Sequence, residues 1–132
     1  MEQKRIRVLI AKVGLDGHEA GARVVVLGLR DEGMEVIYTG LRQTPEMVVE
    51  VAIQEDVDVV GLSCLSGAYK SLFPRVVRLL KEKGAGDRLV IGGGVIADED
   101  IRFLKEQGIS AVFGQGSFIK GIADYIRNNV RR

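Results

Sequence analysis

The chain has 132 residues, of which 46% are hydrophobic and 28% charged, and its net charge is +1. This composition is typical of a globular domain, and the balanced charge excludes the basic surface that nucleic acids or anionic membranes would need. No apolar run approaches the roughly 18 residues of a membrane-spanning helix. The single cysteine, Cys64, excludes an internal disulfide and suits a reducing cytoplasm. We therefore expect one cytoplasmic domain over residues 1–132, with its core between about residues 5 and 128.

Strand-like and helix-like segments alternate along the chain. Short β-branched or apolar runs predict five strands, at Arg7–Ala11, Val36–Thr39, Val57–Leu62, Leu89–Ile91 and Ala111–Phe113. Between these runs, apolar residues recur at the spacing of an amphipathic helix. The clearest repeats are Ala22, Val25, Val26 and Leu29, then Phe73, Val76, Val77 and Leu80, and then Ile119, Ile122, Ala123 and Ile126.

Residues that begin and end helices fit the same boundaries. Thr44 before Pro45 is typical of a helix N-terminus, and Asp98 is expected to cap a helix over 99–107. Glycines stand where three helices should end: Gly33, Gly84 and Gly108. Such a (βα)5 chain predicts an α/β fold, a doubly wound parallel sheet with helices on both faces. The commonest order for five strands is 2-1-3-4-5, the flavodoxin-like arrangement, and we expect it here.

The loops with unusual composition all follow strands. In sheets of this kind, ligands bind outside the carboxyl ends of the strands, at the point where the strand order reverses. The loops that meet there are Asp16-Gly17-His18 after strand 1, Ser63–Gly67 after strand 3, Gly92–Gly94 after strand 4 and Gly114–Ser117 after strand 5. Their convergence on one edge predicts a single large ligand.

His18 is the only histidine in the chain. A neutral imidazole can bind a metal through one ring nitrogen, and an acceptor on the other N–H then fixes its orientation. Asp16, two residues earlier, can supply that acceptor. The pattern D-x-H-x-x-G is short, so a histidine on a polar turn without a ligand role stays an alternative. Cys64 beside one histidine falls short of a four-ligand zinc site.

Three other functions of flavodoxin-like proteins lack their residues here. A phospho-acceptor receiver domain needs an Asp at the end of strand 3 and a Lys at the end of strand 5, where this chain has Ser63 and Gly114. A flavodoxin needs a Ser/Thr-rich phosphate loop after strand 1. A dinucleotide site needs G-x-G-x-x-G after the first strand, and Gly114-Gln115-Gly116 has only the first half, after the last strand.

Taken together, these motifs resemble those of a known family. Asp16-x-His18-x-x-Gly21, Ser63-x-Leu65 and Gly93-Gly94, in this order, resemble the cobalamin (B12)-binding domain. Longer stretches resemble the acyl-CoA mutases, which include methylmalonyl-CoA mutase. These stretches are Lys12–His18, Gln43–Glu46, Gly93–Ile96 and Phe113–Gly116. The resemblance covers about residues 5 to 128.

The resemblance implies a role for each residue of this edge. His18 would be the lower axial ligand of cobalt, replacing the cofactor's own dimethylbenzimidazole (base-off, His-on). Asp16 would accept a hydrogen bond from the other ring nitrogen of His18, and Lys12 would extend that contact. The other cofactor-binding positions would border the cofactor or the slot for its displaced nucleotide tail: Gly17, Gly21, Ser63, Leu65, Gly67, Gly93, Gly94, Gly114, Gly116 and Ser117.

The function implied by the resemblance is that of the cobalamin-binding small subunit of an adenosylcobalamin-dependent acyl-CoA mutase. Homolysis of the cofactor's cobalt–carbon bond would start a radical rearrangement of the substrate's carbon skeleton. One cofactor domain accounts for the chain, so the substrate barrel is expected on a large partner subunit. Direct binding of acyl-CoA, nucleic acid or membrane is not expected. Methylmalonyl-, isobutyryl-, ethylmalonyl- and 2-hydroxyisobutyryl-CoA all stay open as substrates.

Other functions stay open as well. These are a free-standing corrinoid carrier or sensor, a small subunit of the glutamate mutase type, and an interaction domain without a cofactor. The chain also departs from the family pattern. Ala97 and Gln115 stand where proline is frequent, Tyr69 replaces a frequent histidine and Cys64 a frequent threonine. These departures concern the tail slot rather than the cobalt ligand.

Overall fold

The computed structural model of the protein describes residues 4–13, 20–64, 67–114 and 117–131. In this part of the chain, strands and helices alternate strictly. The strands are β1 (Arg7–Lys12), β2 (Glu35–Tyr38), β3 (Val59–Cys64), β4 (Leu89–Gly94) and β5 (Ala111–Gly114). The helices are α1 (Ala20–Asp31), α2 (Pro45–Gln54), α3 (Tyr69–Glu82), α4 (Asp98–Glu106) and α5 (Ile119–Asn129).

The strands form one sheet in the order β2-β1-β3-β4-β5, and every neighbouring pair is parallel. The predicted flavodoxin-like fold class and strand order are therefore confirmed. The reversal of order lies between β1 and β3, where Lys12 pairs with Ser63. Across the next pair, Ser63 lies beside Gly93, so the ends of three strands are level at this edge.

Each face of the sheet has its own core, because alternate residues of a strand point to opposite faces. On one face, Leu9, Val60 and Leu62 pack with buried residues of α2, α3 and α4. On the other face, Ile10 and Ile91 pack with α1 and α5. The repeats predicted for α1, α3 and α5 all face these cores, although Val25 and Ile119 are only half-buried.

The sequence interpretation ends four strands too early: β1 and β5 by one residue, β3 by two and β4 by three. β3 begins at Val59 and runs to Cys64, and β4 runs to Gly94 instead of ending at Ile91. Ser63 and the three glycines were assigned to loops because they lack the apolar side chains that signal a strand. Their backbones nevertheless continue the ladder, up to the pair Cys64 and Gly94. The Gly92–Gly94 run is thus the end of β4 and not a turn after it.

The helix ends agree with the prediction except at α4. Thr44 caps α2 by accepting a hydrogen bond from the N–H of Met47 at 3.1 Å. The predicted helix-ending glycines all have positive φ: Gly33, Gly84 and Gly108. Asp98 was wrongly predicted as an N-cap, since it is already the first helical residue. Ala97, extended at φ −65° and ψ 138°, holds the cap position without a side-chain hydrogen bond.

Candidate functional site

A cleft of about 400 Å³ opens at the carboxyl edge of the sheet, on the face covered by α1 and α5. Its floor is formed by strand residues that point to this face, including Ile10, Ser63 and Ile91. Its walls come from the first turns of the two helices and from Phe113 at the end of β5. The cleft is therefore an apolar slot with a few polar groups in its lining, the usual form of a small-molecule site.

Lys12 lines the cleft at the end of β1 and is only 2% exposed. Among the residues that the structure describes, it is the one charged side chain that is buried. Its backbone carbonyl accepts a hydrogen bond from the N–H of Gln43 at 3.0 Å, which fixes the strand end. Burial of a lysine is costly unless it serves a partner or a ligand, so Lys12 is the main polar feature of the floor.

Glycines give the cleft its shape. A Cβ built on Gly21 or Gly114 would meet no protein atom within 4 Å, although both residues line the cleft. A Cβ on Gly93 would lie 3.2 Å from the carbonyl oxygen of Phe113, so a side chain there would crowd β5. The missing side chains leave a smooth cradle between β4, β5 and α1. Such a cradle fits a flat or bulky ligand that approaches the backbone closely.

Gly94 closes the end of β4 against β3. Its φ is +114°, and a Cβ at this position would lie 2.1 Å from the carbonyl oxygen of Cys64. That distance is far inside van der Waals contact, and the neighbour is backbone rather than a flexible side chain. Only glycine therefore allows the two strand ends to meet here.

The structure brings seven of the predicted site residues together in this cleft. They are Lys12, Gly21, Ser63, Gly93, Gly94, Gly114 and Ser117. Gly67 is exposed and does not line the cleft. The other five predictions, Asp16, Gly17, His18, Leu65 and Gly116, lie outside the described residues. Sequence reasoning missed the apolar lining from Val24, Ile91, Phe113 and Ile122.

A hydrogen-bonded bridge lies beside this edge and was not predicted. The Tyr69 hydroxyl, at the start of α3, donates to Asp100 Oδ2 at 2.5 Å and accepts from the N–H of Ala97 at 3.1 Å. Lys70 Nζ lies 3.4 Å from Asp100 Oδ1. The hydrogen bond from Tyr69 holds the pKa of Asp100 below its ordinary value, with a smaller contribution from Lys70. The same bond raises the pKa of Tyr69.

This bridge predicts a pH-dependent effect of Tyr69→Phe on stability. Because the pKa of Asp100 is lowered in the folded state, its contribution is complete above the ordinary value of 3.8 and is lost as the pH falls through the folded-state pKa. The variant should therefore be less stable than the wild type at neutral pH, and the difference should shrink in acid. Urea unfolding of both proteins at neutral and acidic pH measures it.

Tyr125→Phe is the matched control for this measurement. Among the described residues, the Tyr125 hydroxyl contacts the side chain and the carbonyl of Ser110 and no carboxylate. Its loss should lower stability by an amount that does not change between neutral and acidic pH. If the deficit of Tyr69→Phe were equally constant, the hydrogen bond would not favour the charged form of Asp100.

Within the described residues, no group of three or more His, Cys, Asp or Glu side chains could hold a metal ion. His18 lies outside the described residues. No helix in the described part of the chain is both long and apolar enough to span a bilayer.

Comparison with known proteins identifies the family. The family model described as the B12 binding domain matches residues 6–119. The chain belongs to the B12-binding domain family. A solved structure of a cobalamin-binding protein from Desulfitobacterium hafniense DCB-2 superimposes with a TM-score of 0.83 at 22% identity, over 97% of this chain and 60% of that one. At 22% identity, this likeness shows that the two proteins share a fold.

Mutases are among the curated relatives of this B12-binding domain. It is 54% identical to the 2-hydroxyisobutanoyl-CoA mutase small subunit of Aquincola tertiaricarbonis, over 98% of this chain and 96% of that protein. It is 45% identical to methylmalonyl-CoA mutase of Cereibacter sphaeroides, over 98% of this chain but only 18% of the relative. The B12-binding domain thus spans nearly all of one mutase subunit and less than a fifth of the other mutase. The predicted resemblance is confirmed, and these homologues are mutases, a class of isomerase.

Proposed function

We propose that this chain is the cobalamin-carrying small subunit of an adenosylcobalamin-dependent acyl-CoA mutase, acting with a large barrel-type partner subunit. The observation that carries the proposal is the 54% identity to a mutase small subunit over 96% of that subunit's length. The glycine-lined cleft supports it, because cobalamin in this binding mode must place a long tail inside the protein. Cys64 is the chain's single cysteine, so no internal disulfide can form, which suits the proposed cytoplasmic location.

In this proposal the chain binds and orients the cofactor. Adenosylcobalamin supplies, when bound, a cobalt–carbon bond whose homolysis starts the rearrangement of the acyl-CoA. His18 would give one neutral nitrogen to cobalt, and Asp16 with the buried Lys12 would hold the imidazole in its orientation. Because the corrin would itself supply most of the cobalt ligands, His18 would suffice as the protein's contribution.

The tail of the cofactor would occupy the cleft. Ser63 and Leu65 would line it on the β3 side, and Gly93-Gly94 would let it pass along β4. The other glycines, Gly17, Gly21, Gly114 and Gly116, would allow close approach, with Ser117 at the outer end. The Oγ of Ser117 donates to the carbonyl of Gly114 at 2.8 Å, which ties Ser117 to the end of β5.

The substrate favoured by the relatives is 2-hydroxyisobutanoyl-CoA, since that name belongs to the relative matched at 54% identity. Selection between acyl-CoA substrates would be made by the large subunit, because the cleft of this chain is assigned to the cofactor. Activity assays with the paired large subunit should therefore rank substrates independently of variants in the cleft.

The experiment that tests the proposed function is a titration with adenosylcobalamin, followed by its visible spectrum. The protein is used alone and together with a large mutase subunit from the same source. We expect the base-on spectrum to change to the base-off form on binding. An unchanged base-on spectrum under both conditions would contradict every cobalamin function for this chain.

Gly21→Ala should separate stability from cofactor binding. Gly21 lies in α1 and lines the cleft, and a Cβ there meets nothing within 4 Å. Alanine in a helix is more favourable than glycine by up to about 1 kcal/mol, so the variant should be slightly more stable. The added methyl would nevertheless occupy space assigned to the cofactor, and cobalamin affinity should fall about tenfold.

Gly121→Ala is the control for Gly21→Ala. Gly121 lies in α5, is exposed, and also has open space around a Cβ. This variant should gain similar stability and bind cobalamin like the wild type. Urea unfolding and spectroscopic titration of the two variants give both quantities. Equal cobalamin affinities in Gly21→Ala and Gly121→Ala would show that the cofactor does not pass Gly21.

A further inference from the structure

The loop that leaves β4 is held at both ends. At its start, Gly94 is packed against the carbonyl of Cys64, so closely that no side chain fits between them. At its end, the N–H of Ala97 donates to the Tyr69 hydroxyl at 3.1 Å. Only the residues 95–97 lie between Gly94 and α4. The loop is therefore held by contacts with β3 and α3, and between them Ile96 packs against the core.

Tyr69 is well placed to hold this loop. Its side chain is 5% exposed, so water does not replace the hydrogen bonds of its hydroxyl easily. The hydroxyl is anchored by Asp100 Oδ2 at 2.5 Å, and Lys70 lies 3.4 Å from the other oxygen of that carboxylate. The bridge thus joins the first turns of α3 and α4, which follow β3 and β4.

The ring of Tyr69 also supports β4, through Phe73. It packs at a tilt against Phe73, with the ring centroids 6.1 Å apart. Phe73 in turn lies against Gly92, where a Cβ would come within 2.9 Å of the ring. Gly92 directly precedes Gly93 and Gly94, which line the cleft. Tyr69 therefore supports β4 from the face opposite the cleft and ties down the loop beyond it.

The bond between Ala97 and Tyr69 unites two departures from the acyl-CoA mutase pattern. A proline at position 97 has no N–H and could not donate to the hydroxyl. The φ of Ala97, −65°, is nevertheless the value that proline adopts. Position 97 therefore has a backbone conformation that would suit proline, yet it keeps an N–H. The Tyr69 hydroxyl accepts a hydrogen bond from that N–H.

We propose that Tyr69 is a positioning residue for the nucleotide tail of cobalamin, which acts by holding the end of β4 in the shape that receives the tail. The inference rests on the proposed function. Tyr69 would not touch the cofactor, since it lies on the other face of the sheet. Its hydroxyl would set the position of Gly93-Gly94 through the loop 95–97. Binding of the corrin ring by His18 would not depend on it.

The test compares cobalamin with cobinamide, which has the same corrin ring but lacks the nucleotide tail. Dissociation constants of both are measured by visible spectroscopy for the wild type, Tyr69→Phe and Ala97→Pro. Loss of both hydrogen bonds of the Tyr69 hydroxyl should weaken cobalamin binding about tenfold in Tyr69→Phe. Ala97→Pro should also weaken cobalamin binding. In both variants, the dissociation constant of cobinamide should stay within about twofold of the wild-type value, because cobinamide has no nucleotide tail to place in the cleft.

Tyr125→Phe is again the matched control, because it removes a tyrosine hydroxyl bonded to Ser110, neither residue lines the cleft, and the ring that packs against Phe113 is kept. It should bind both compounds like the wild type. Equal losses for cobalamin and cobinamide in Tyr69→Phe, or no loss for either, would overturn the proposal. If the wild type bound neither compound, the proposed function itself would fail, and the wild-type titration would identify that failure before any variant is compared.

Discussion

Replacing Gly94 with alanine should destabilise the protein by about 3 kcal/mol or more. The residue adopts φ +114°, a conformation that alanine avoids, and its Cβ would lie 2.1 Å from the carbonyl oxygen of Cys64. Neither strain can relax locally, because the clash is between two backbones that pair as neighbouring strands. The ends of β3 and β4 would have to separate, and the cleft between them would lose its shape. Urea unfolding measures the loss.

Gly114→Ala is the control for Gly94→Ala. Gly114 pairs with Gly94 across β4 and β5, but a Cβ there meets nothing within 4 Å. The free energy of unfolding of this variant should stay within about 0.5 kcal/mol of the wild type. If Gly94→Ala were as stable as Gly114→Ala, the close contact between β3 and β4 would not exist in solution.

Replacing His18 with alanine should weaken cobalamin binding by roughly 100-fold or more, since even the partners of a metal-bound histidine typically matter 10- to 100-fold. In the proposed site, His18 is the one protein ligand of cobalt, so the vitamin should revert to the base-on form. The free energy of unfolding should be unchanged, because the proposed role of His18 is in the loaded protein alone. Spectroscopic titration and urea unfolding test the two expectations.

Two further measurements define the role of His18. Free imidazole should restore the base-off spectrum to His18→Ala in part, since it can enter the space left by the side chain. Asp16→Asn should bind cobalamin about 10- to 100-fold more weakly than the wild type, as expected for an acceptor that orients the ligand. Wild-type affinity in His18→Ala would contradict the assignment of the cobalt ligand.

The order of strands and helices could be predicted because each is indicated by a local pattern of apolar residues. The repeat of Phe73, Val76, Val77 and Leu80 needs only one helix face to be apolar, and all four are buried. The strand order followed from a general rule for five parallel strands. The ends of β3 and β4 could not be predicted, since Ser63 and Gly93 extend the ladder through backbone pairing that leaves no apolar signal.

The site was predictable in outline and not in detail. Topology alone brings the loops after β1, β3, β4 and β5 to one edge, so the convergence of Ser63, Gly93 and Ser117 in one cleft was expected. The burial of Lys12 was not, because a lysine at a strand end is usually solvated. The bridge from Tyr69 to Asp100 spans 31 positions and depends on how α3 and α4 pack. Such a contact has no signature in a single sequence.

We propose that a protein imidazole replaces the vitamin's own base on cobalt. It is tested most directly by electron paramagnetic resonance of cob(II)alamin bound to the protein after uniform labelling with ¹⁵N. An axial ¹⁵N nucleus from His18 would split each cobalt line into a doublet. Dimethylbenzimidazole, unlabelled at ¹⁴N, would give a triplet. Ligation of cobalt by His18 predicts the doublet, and a triplet in the bound state would contradict it.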